Sequence, residues 1–400
     1  MSSYSYKCFK CSEIYSVEEI EKGIHYLCPK CGKSEKNKPL EGVLTVEYHY
    51  NELEKKISRE EFLRLTPGKF WLYPDLWPLD FNNFEDDQLN KLALPADQLF
   101  NYKIDGKKLL IQDETRNPTL SYKDRATSLV VLKAIELGIT EIAAASTGNA
   151  GSSLAGICSR LGLKSRIYVP QNIPEEKRIQ IEAYGAELKI VEGDYDKAFD
   201  LCLEDSKKNN WYNRNTAYNP LTIEGKKSAA YDIFVSAKGE IPDVIFVPVG
   251  DGVIISGIYK GFKELLTLGW IDKLPKLIAV QSTGSDALVR YFNTGKFEYK
   301  AAKTLADSIL AGAPRNLYLA SDAVKKSNGI AIAVTDEEIL LAQKEFIKQT
   351  GILCEPSCAT TYAAYKSLAE KDKIDSSIKV LLLITGNGLK NITSLRIKGV

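Results

Sequence analysis

Between residues 107 and 391, short β-branched runs alternate with amphipathic stretches long enough for helices, and this alternation limits the possible folds most severely. The runs predict strands at Lys108–Gln112, Glu141–Ala145, Ser165–Val169, Glu187–Val191, Asp243–Pro248, Lys276–Gln281, Gly329–Val334 and Lys379–Ile384. The intervening stretches predict helices, among them Asp124–Gly138, Ala150–Gly162, Gly225–Ser236 and Val253–Leu268. Several of them end at Gly, which tolerates the left-handed conformation that closes a helix. Parallel strands cannot be joined by a tight turn and need a crossover, usually a helix. The expected fold class is therefore α/β, built from βαβ units into open parallel sheet. No internal repeat, heptad run or low-complexity tract interrupts the pattern.

Composition removes several function classes. Hydrophobic residues make up 44% of the 400, enough for a large core and against disorder. The 53 Lys and Arg nearly cancel the 52 Asp and Glu, so neither nucleic acid nor an anionic membrane is expected as the main partner. Met1 to Cys8 is polar and lacks a signal-peptide core, and runs such as Val380–Ile384 are too short to cross a bilayer. The reading is a cytoplasmic protein acting on a small molecule. Three regions are expected: a segment over 1–40, an extension over 41–106 that packs on the body, and a catalytic region over 107–400 with a smaller subdomain at about 124–218. The aromatic stretch from Phe70 to Pro78 fits such packing better than a binding surface.

Cys8, Cys11, Cys28 and Cys31 form two C-x-x-C pairs separated by 16 residues. Two such knuckles can close on one tetrahedral ion, and four thiolates favour Zn²⁺ over hard ions. With every position filled by protein, the zinc would be structural, and the ribbon-like segment would be a separate unit folded by its metal. A metal-free ribbon with reduced thiols remains the alternative. Cys158, Cys202, Cys354 and Cys358 lie in apolar segments and read as buried, inert thiols.

Three Gly-bearing turns directly follow predicted strands: Ser146-Thr147-Gly148-Asn149-Ala150-Gly151, Pro248-Val249-Gly250-Asp251-Gly252-Val253 and Thr385-Gly386-Asn387-Gly388. In open parallel sheets, ligands bind at the carboxyl ends of strands, where such turns lie. A turn that opens a helix also presents free N–H groups to an anion. The segment Asn117-Pro118-Thr119-Leu120-Ser121-Tyr122-Lys123-Asp124-Arg125 joins another strand to a helix, with Ser121 or a neighbour as its cap. Lys123 thus stands at a helix N-terminus, where an ammonium is disfavoured and a neutral, nucleophilic amine is favoured. On position alone, an ordinary surface lysine remains open.

The wider match narrows this. Asn117 to Arg125 resembles the N-P-T-G-S-F-K-D-R signature of the threonine synthase family, within the tryptophan-synthase-β-like pyridoxal-phosphate enzymes. The likeness continues, in order, through the three turns, Asn219-Pro220-Leu221-Thr222-Ile223-Glu224-Gly225-Lys226-Lys227 and Cys354-Glu355-Pro356-Ser357. It implies a two-domain open parallel-sheet fold of the tryptophan synthase β type with an N-terminal zinc-ribbon-like segment. It implies pyridoxal 5′-phosphate held by Lys123 as a Schiff base. Asn149 would bond the cofactor's 3′-oxygen. Gly250, Asp251, Gly252, Val253 and Ile254 would wrap its phosphate, and Thr385 would face its pyridine nitrogen. Ser146 and Thr147 would hold the substrate carboxylate. The implied reaction is O-phosphohomoserine plus water to threonine plus phosphate, in a homodimer. Alternatives are β-elimination or β-replacement on a serine- or threonine-type amino acid, as in a dehydratase or cysteine synthase, and a non-catalytic homologue whose ribbon recruits a partner.

The sequence also departs from the family pattern. Leu120 and Ala126 replace Gly, and the usual G-E-G-N-T-P-L segment is missing. Thr222 stands where the family often has a substrate-phosphate Arg in N-P-x-R-x-E-G, and a hydroxyl is a poor partner for a dianion. Lys226 or Lys227 is the expected replacement for the lost charge. Asp251 adds negative charge beside the cofactor phosphate.

Overall fold

The computed structural model describes residues 3–146, 148–193, 195–371, 374–375 and 377–396. A small antiparallel sheet comes first: β1 (Tyr4–Cys8) lies between β2 (Ile14–Tyr15) and β3 (Leu44–Tyr48). Next, β4 (Leu99–Ile104) forms a hairpin with β5 (Lys107–Asp113). A four-stranded parallel sheet follows, from β6 (Glu141–Ala145), β7 (Lys164–Pro170), β8 (Glu187–Val191) and β9 (Tyr212–Asn213), in the order β8-β7-β6-β9. The last strands are β10 (Val244–Pro248), β11 (Lys276–Ser282), β12 (Ile330–Val334) and β13 (Val380–Ile384). They join the hairpin in a six-stranded sheet ordered β12-β11-β10-β13-β5-β4, parallel except at β4.

All eight predicted strands form, and those at the centre of the larger sheet are covered on both faces. Every residue of β10 and β13 is buried. Successive side chains serve opposite cores: Leu381 and Leu383 face one, Val380, Leu382 and Ile384 the other. The helix Leu221–Ser236 is buried almost all round and packs against the helices Lys123–Glu136 and Val253–Thr267. Among the described residues, no helix is long and apolar enough to cross a membrane.

The boundaries expected at 40 and 106 both fall inside hydrogen-bonded strand pairs, β1 with β3 and β4 with β5. The cysteine segment is therefore not a separate unit. Cys8 and Cys28 belong to the main core, and Tyr48 at the end of β3 donates to Glu224 of the central helix at 2.8 Å. Lys227, Lys260, Glu224 and Glu264 form a buried ion cluster at this junction. Residues 41–106 pack in the same core: the Phe62 ring lies 4.6 Å from that of Tyr73 and 4.7 Å from that of Trp270.

Candidate active site

Lys123 opens the helix Lys123–Glu136, and the loop before it is fastened from several sides. Asn117 donates to Glu114 at 2.7 Å and to the Ser121 carbonyl at 3.1 Å. The Tyr122 N–H bonds the Thr385 carbonyl at 2.9 Å, and the Asn387 N–H bonds that of Leu120 at 3.0 Å. The two residues after Lys123 act as bolts. Asp124 accepts from the Thr119 N–H and the Ser153 hydroxyl, each at 2.7 Å. Arg125, fully buried, bonds Glu114 at 2.8 Å and 2.9 Å, Asp232 at 2.6 Å and Gln98 at 2.8 Å. With its neighbours so committed, Lys123 is aimed into open space rather than into the core. The expected cap does not form: the helix has no side-chain cap, and the buried Ser121 hydroxyl has no partner.

That space is two adjoining cavities sharing Lys123, Thr216, Gly250, Asp251 and Ser308. One extends over Lys226, Thr385 and the backbone from Gly252 to Ile255. The other extends over Ser146, Asn149, Lys177 and Tyr195. The structure thus brings together Lys123, Ser146, Asn149, Lys226, Gly250, Asp251, Gly252, Val253, Ile254 and Thr385. Thr147 lies outside the described residues. The turn after β10 requires its glycines: Gly252 has φ +86°, and a Cβ there would lie 2.6 Å from that of Ala320. A Cβ on Gly250 would lie 2.9 Å from the Ile309 Cα.

Thr222 does not line either cavity. Its hydroxyl donates to the Asn219 carbonyl at 2.7 Å and accepts from the Ala217 N–H at 3.2 Å, closing a turn. Lys227 is also spent elsewhere, paired with Glu224 at 2.8 Å and Glu264 at 3.0 Å. Of the two lysines expected to replace the lost charge, only Lys226 reaches the cavity.

The cavity is electrostatically unusual. Burial lowers the Lys123 pKa, the Arg214 and Lys177 charges lower it further, and Glu355 opposes them. Burial also pushes Lys226 well down, reinforced by Lys123 and Arg214. Arg214, buried, donates through Nε and Nη2 to the Thr127 hydroxyl and is lowered to about 10 by desolvation; among the described residues its Nη1 has no partner. Lys123 and Lys226 thus share a cavity lining with Asp251, and the Arg214, Lys177 and Glu355 charges act on Lys123 from around it. The Asp251 carboxyl is pushed up by burial and accepts from the Arg315 N–H at 3.0 Å, which softens its expected repulsion of an anion.

Sequence reasoning missed a second cluster. Lys177, fully buried, pairs with Asp307 and lies 3.2 Å from Glu355 and 3.1 Å from the Ser308 hydroxyl. Asn149 donates to Glu355 at 2.7 Å and to Ser308 at 3.1 Å, and its buried Oδ1 has no partner among the described residues. Burial raises Glu355, but Lys177 and Lys390 outweigh it and hold the carboxyl below its ordinary range. Lys177 and Arg214 sit in ordinary polar sequence that carries no signal. Glu355, in the quoted Cys354-Glu355-Pro356 stretch, could have been found.

At the other end of the chain, the sulfur atoms of Cys8, Cys11, Cys28 and Cys31 all lie within 4.8 Å of one another. Cys8 and Cys31 are 3.5 Å apart, Cys11 and Cys28 3.7 Å. Tetrahedral sulfur ligands at about 2.3 Å from zinc are about 3.8 Å apart, so the quartet has the size of such a site.

The profile of the family described as pyridoxal-phosphate dependent enzyme matches residues 93–386. The threonine synthase of Methanocaldococcus jannaschii is 34% identical over 394 residues, covering 96% of this chain and 92% of the relative. That of Halalkalibacterium halodurans is 34% identical over 287 residues, covering 72% and 79%. Among solved structures, maize serine racemase superposes with a TM-score of 0.65 at 21% identity, covering 76% of this chain and 90% of the racemase. An L-serine ammonia-lyase from Rhizomucor miehei gives 0.64 at 19%, covering 76% and 96%. At these identities the structural likeness is one of fold.

Proposed function

The chain belongs to the pyridoxal-phosphate-dependent enzymes, and from that premise we propose that it is a threonine synthase, converting O-phosphohomoserine and water to threonine and phosphate. The observation that carries the proposal is the Lys123 side chain at the junction of two cavities, with Lys226 and a glycine turn in the lining of one of them. The relatives that match nearly the whole chain supply the reaction.

The residues present fit the cofactor. Burial lowers the pKa of the Lys123 amine, which favours the neutral form that attacks an aldehyde. The unpartnered Oδ1 of Asn149 is an acceptor awaiting a hydroxyl. The N–H groups from Gly252 to Ile254 open the helix Val253–Thr267 and suit a phosphate. Thr385 offers a hydroxyl at the far wall, with the Cys358 sulfur 3.5 Å behind it. When bound, pyridoxal phosphate withdraws electrons from the substrate's α-carbon and makes its proton acidic. A hydroxyl opposite the ring nitrogen does not hold a proton there as a carboxylate would. That favours reactions in which electrons depart with a leaving group, such as phosphate. Lys123 is the base positioned to take protons from the α- and β-carbons and to return one to the γ-carbon. Ser146, with Thr147, would orient the substrate carboxylate, and Lys226 and Arg214 would hold its phosphate.

The test is product analysis across O-phosphohomoserine, O-phosphoserine, serine and threonine. Threonine and phosphate from the first, at a kcat/KM at least ~100-fold above the others, are expected. Preferential deamination of serine or threonine would overturn the reading in favour of a dehydratase, which the Thr222 substitution favours.

We further propose one structural Zn²⁺ on Cys8, Cys11, Cys28 and Cys31, supported by the size of the sulfur quartet. Metal analysis should give one zinc per chain. The family resemblance supports a homodimer in the cytoplasm, which light scattering and fractionation measure.

A further inference from the structure

Asp251 is an acid in a turn where an anion is to be held, and the fold does not neutralise it. Its Oδ1 accepts from the Arg315 N–H at 3.0 Å, and neither of its oxygens pairs with a cation among the described residues. The Arg315 guanidinium is spent on Asp196 and on the carbonyls of Glu35 and Lys38. Lys177 has its own carboxylates in Asp307 and Glu355. Asp251 is half-buried and keeps accessible surface, and it lines both of the cavities that meet at Lys123.

Its charge acts on groups in both linings. Tyr195 lines the cavity of Ser146 and Asn149; burial raises its pKa most, and the Asp251 charge is the next cause. Lys226 lines the other cavity, and there Asp251 opposes the fall produced by burial, Lys123 and Arg214. The carboxyl thus stands between the cofactor turn and the space left for substrate. Burial pushes it up, the Arg315 N–H and the Arg315 and Lys226 charges pull against that, and Asp196 adds to the rise. A carboxyl partly withdrawn from water and without a cation keeps its proton more readily than an exposed one.

Conversion of a phosphate ester to phosphate needs such a proton. The ester carries nearly two negative charges near pH 7, so a bridging oxygen that left bare would depart as a trianion. Lys123 is occupied with the carbon-bound protons. Asp307, the other aspartate in these linings, reaches only one of the cavities and is paired with Lys177.

We propose that Asp251 is the catalytic acid that protonates the leaving phosphate and then the base that takes a proton from the water that replaces it. This rests on the threonine synthase reading. Lys123 takes the β-proton, the electron pair left behind forms the Cβ–Cγ double bond, and the Cγ–O bond breaks with its pair on the bridging oxygen. That oxygen takes the Asp251 proton and departs as HPO4²⁻. Water then bonds the β-carbon through its oxygen and gives one proton to Asp251, while Lys123 passes the former β-proton to the γ-carbon. The α-proton is removed and restored, so Asp251 and Lys123 both end as they began.

The test is single-turnover phosphate release from O-phosphohomoserine by the holoenzyme. Phosphate leaves before water adds, so release by the unaltered enzyme should be slower in D2O, a measurement that needs no variant and decides the matter should a variant not fold. Asp251→Asn keeps the shape and an acceptor for the Arg315 N–H but has no proton to transfer, and should slow release at least ~100-fold. Its binding of L-2-amino-5-phosphonopentanoate, in which a methylene replaces the bridging oxygen, should stay within about threefold. The bridging-sulfur analogue S-phosphohomocysteine, whose leaving group needs no proton, should lose less than about fivefold in the same variant. If the unaltered enzyme releases no phosphate from O-phosphohomoserine, the threonine synthase reading fails and takes this proposal with it. Where the unaltered enzyme does release it, the absence of a D2O effect, release by Asp251→Asn within about fivefold of normal, or equal losses on the oxygen and sulfur substrates would overturn the acid and leave that reading standing.

Discussion

At the scale of single residues, position separates lysines that composition makes alike. Lys123 should be indispensable: Lys123→Ala is expected to lower kcat at least ~10³-fold with an unchanged circular dichroism spectrum. Its lowered pKa also fixes the sign of a pH effect. Neutral amine is lost as pH falls, giving an acid limb in the rate at which the apoprotein captures pyridoxal phosphate. Arg214 helps hold that pKa down, so Arg214→Met should move the limb to higher pH. Lys226 and Lys227, adjacent in sequence, should fail differently. Lys226→Ala removes a charge from the cavity and should raise KM for O-phosphohomoserine about 10- to 100-fold. Lys227→Ala leaves Glu224 and Glu264 with less compensation inside the core, and should instead cost about 3–5 kcal/mol in thermal or denaturant unfolding. The sequence could nominate both lysines, since their spacing from Asn219-Pro220 is local. It could not choose between them, because the carboxylate at residue 264 is a long-range neighbour. Leu120 is a similar case. It stands where the family pattern has Gly, and it sits at φ +65°, where a side chain is disfavoured by about 1 kcal/mol.

At the scale of elements, the consequential piece is the loop that leaves the cysteine sheet. Arg315 donates to the Glu35 carbonyl at 3.4 Å and the Lys38 carbonyl at 3.1 Å, pairs with Asp196, and through its N–H holds Asp251. The Leu40 N–H returns to the Arg315 carbonyl at 3.1 Å. The cysteine segment and the cofactor turn are thus one bond apart on either side of one residue. Stripping the metal with a chelator should therefore weaken cofactor retention, visible as faster loss of its absorbance on dialysis. An unchanged rate would mean that the loop 35–40 keeps its place without zinc. The C-x-x-C spacing announced the quartet, since four ligands in 24 residues is a local pattern. It could not announce the docking, which rests on partners some 280 residues away.

At the scale of the whole molecule, Lys177 lies on the helix Glu175–Ala183 beside the smaller sheet, whereas Asp307 and Glu355 come from segments around the larger one. The pairs latch the two bodies across the cavities. Lys177→Met should leave the acids facing each other and hold the cleft open, raising KM and speeding cofactor release by about tenfold each. Because Glu355 titrates below its ordinary value in the folded protein, its contribution is fully present above that ordinary value and fades only as pH falls through the lowered one. Alternation in the sequence foretold parallel sheet, but not its division in two nor the strand order, since every buried strand reads as the same apolar run. That order has a consequence for how the chain is made. The strand at the seam of the larger sheet, β13, joins β10 to β5, yet among the described residues it comes after every other strand in the chain. Until residues 380–384 emerge, the hairpin β4-β5 and the trio β10-β11-β12 are two halves with exposed apolar edges and nothing between them. Synthesis from the N-terminus can therefore finish the smaller sheet before the larger one, whose two halves wait for residues 380–384.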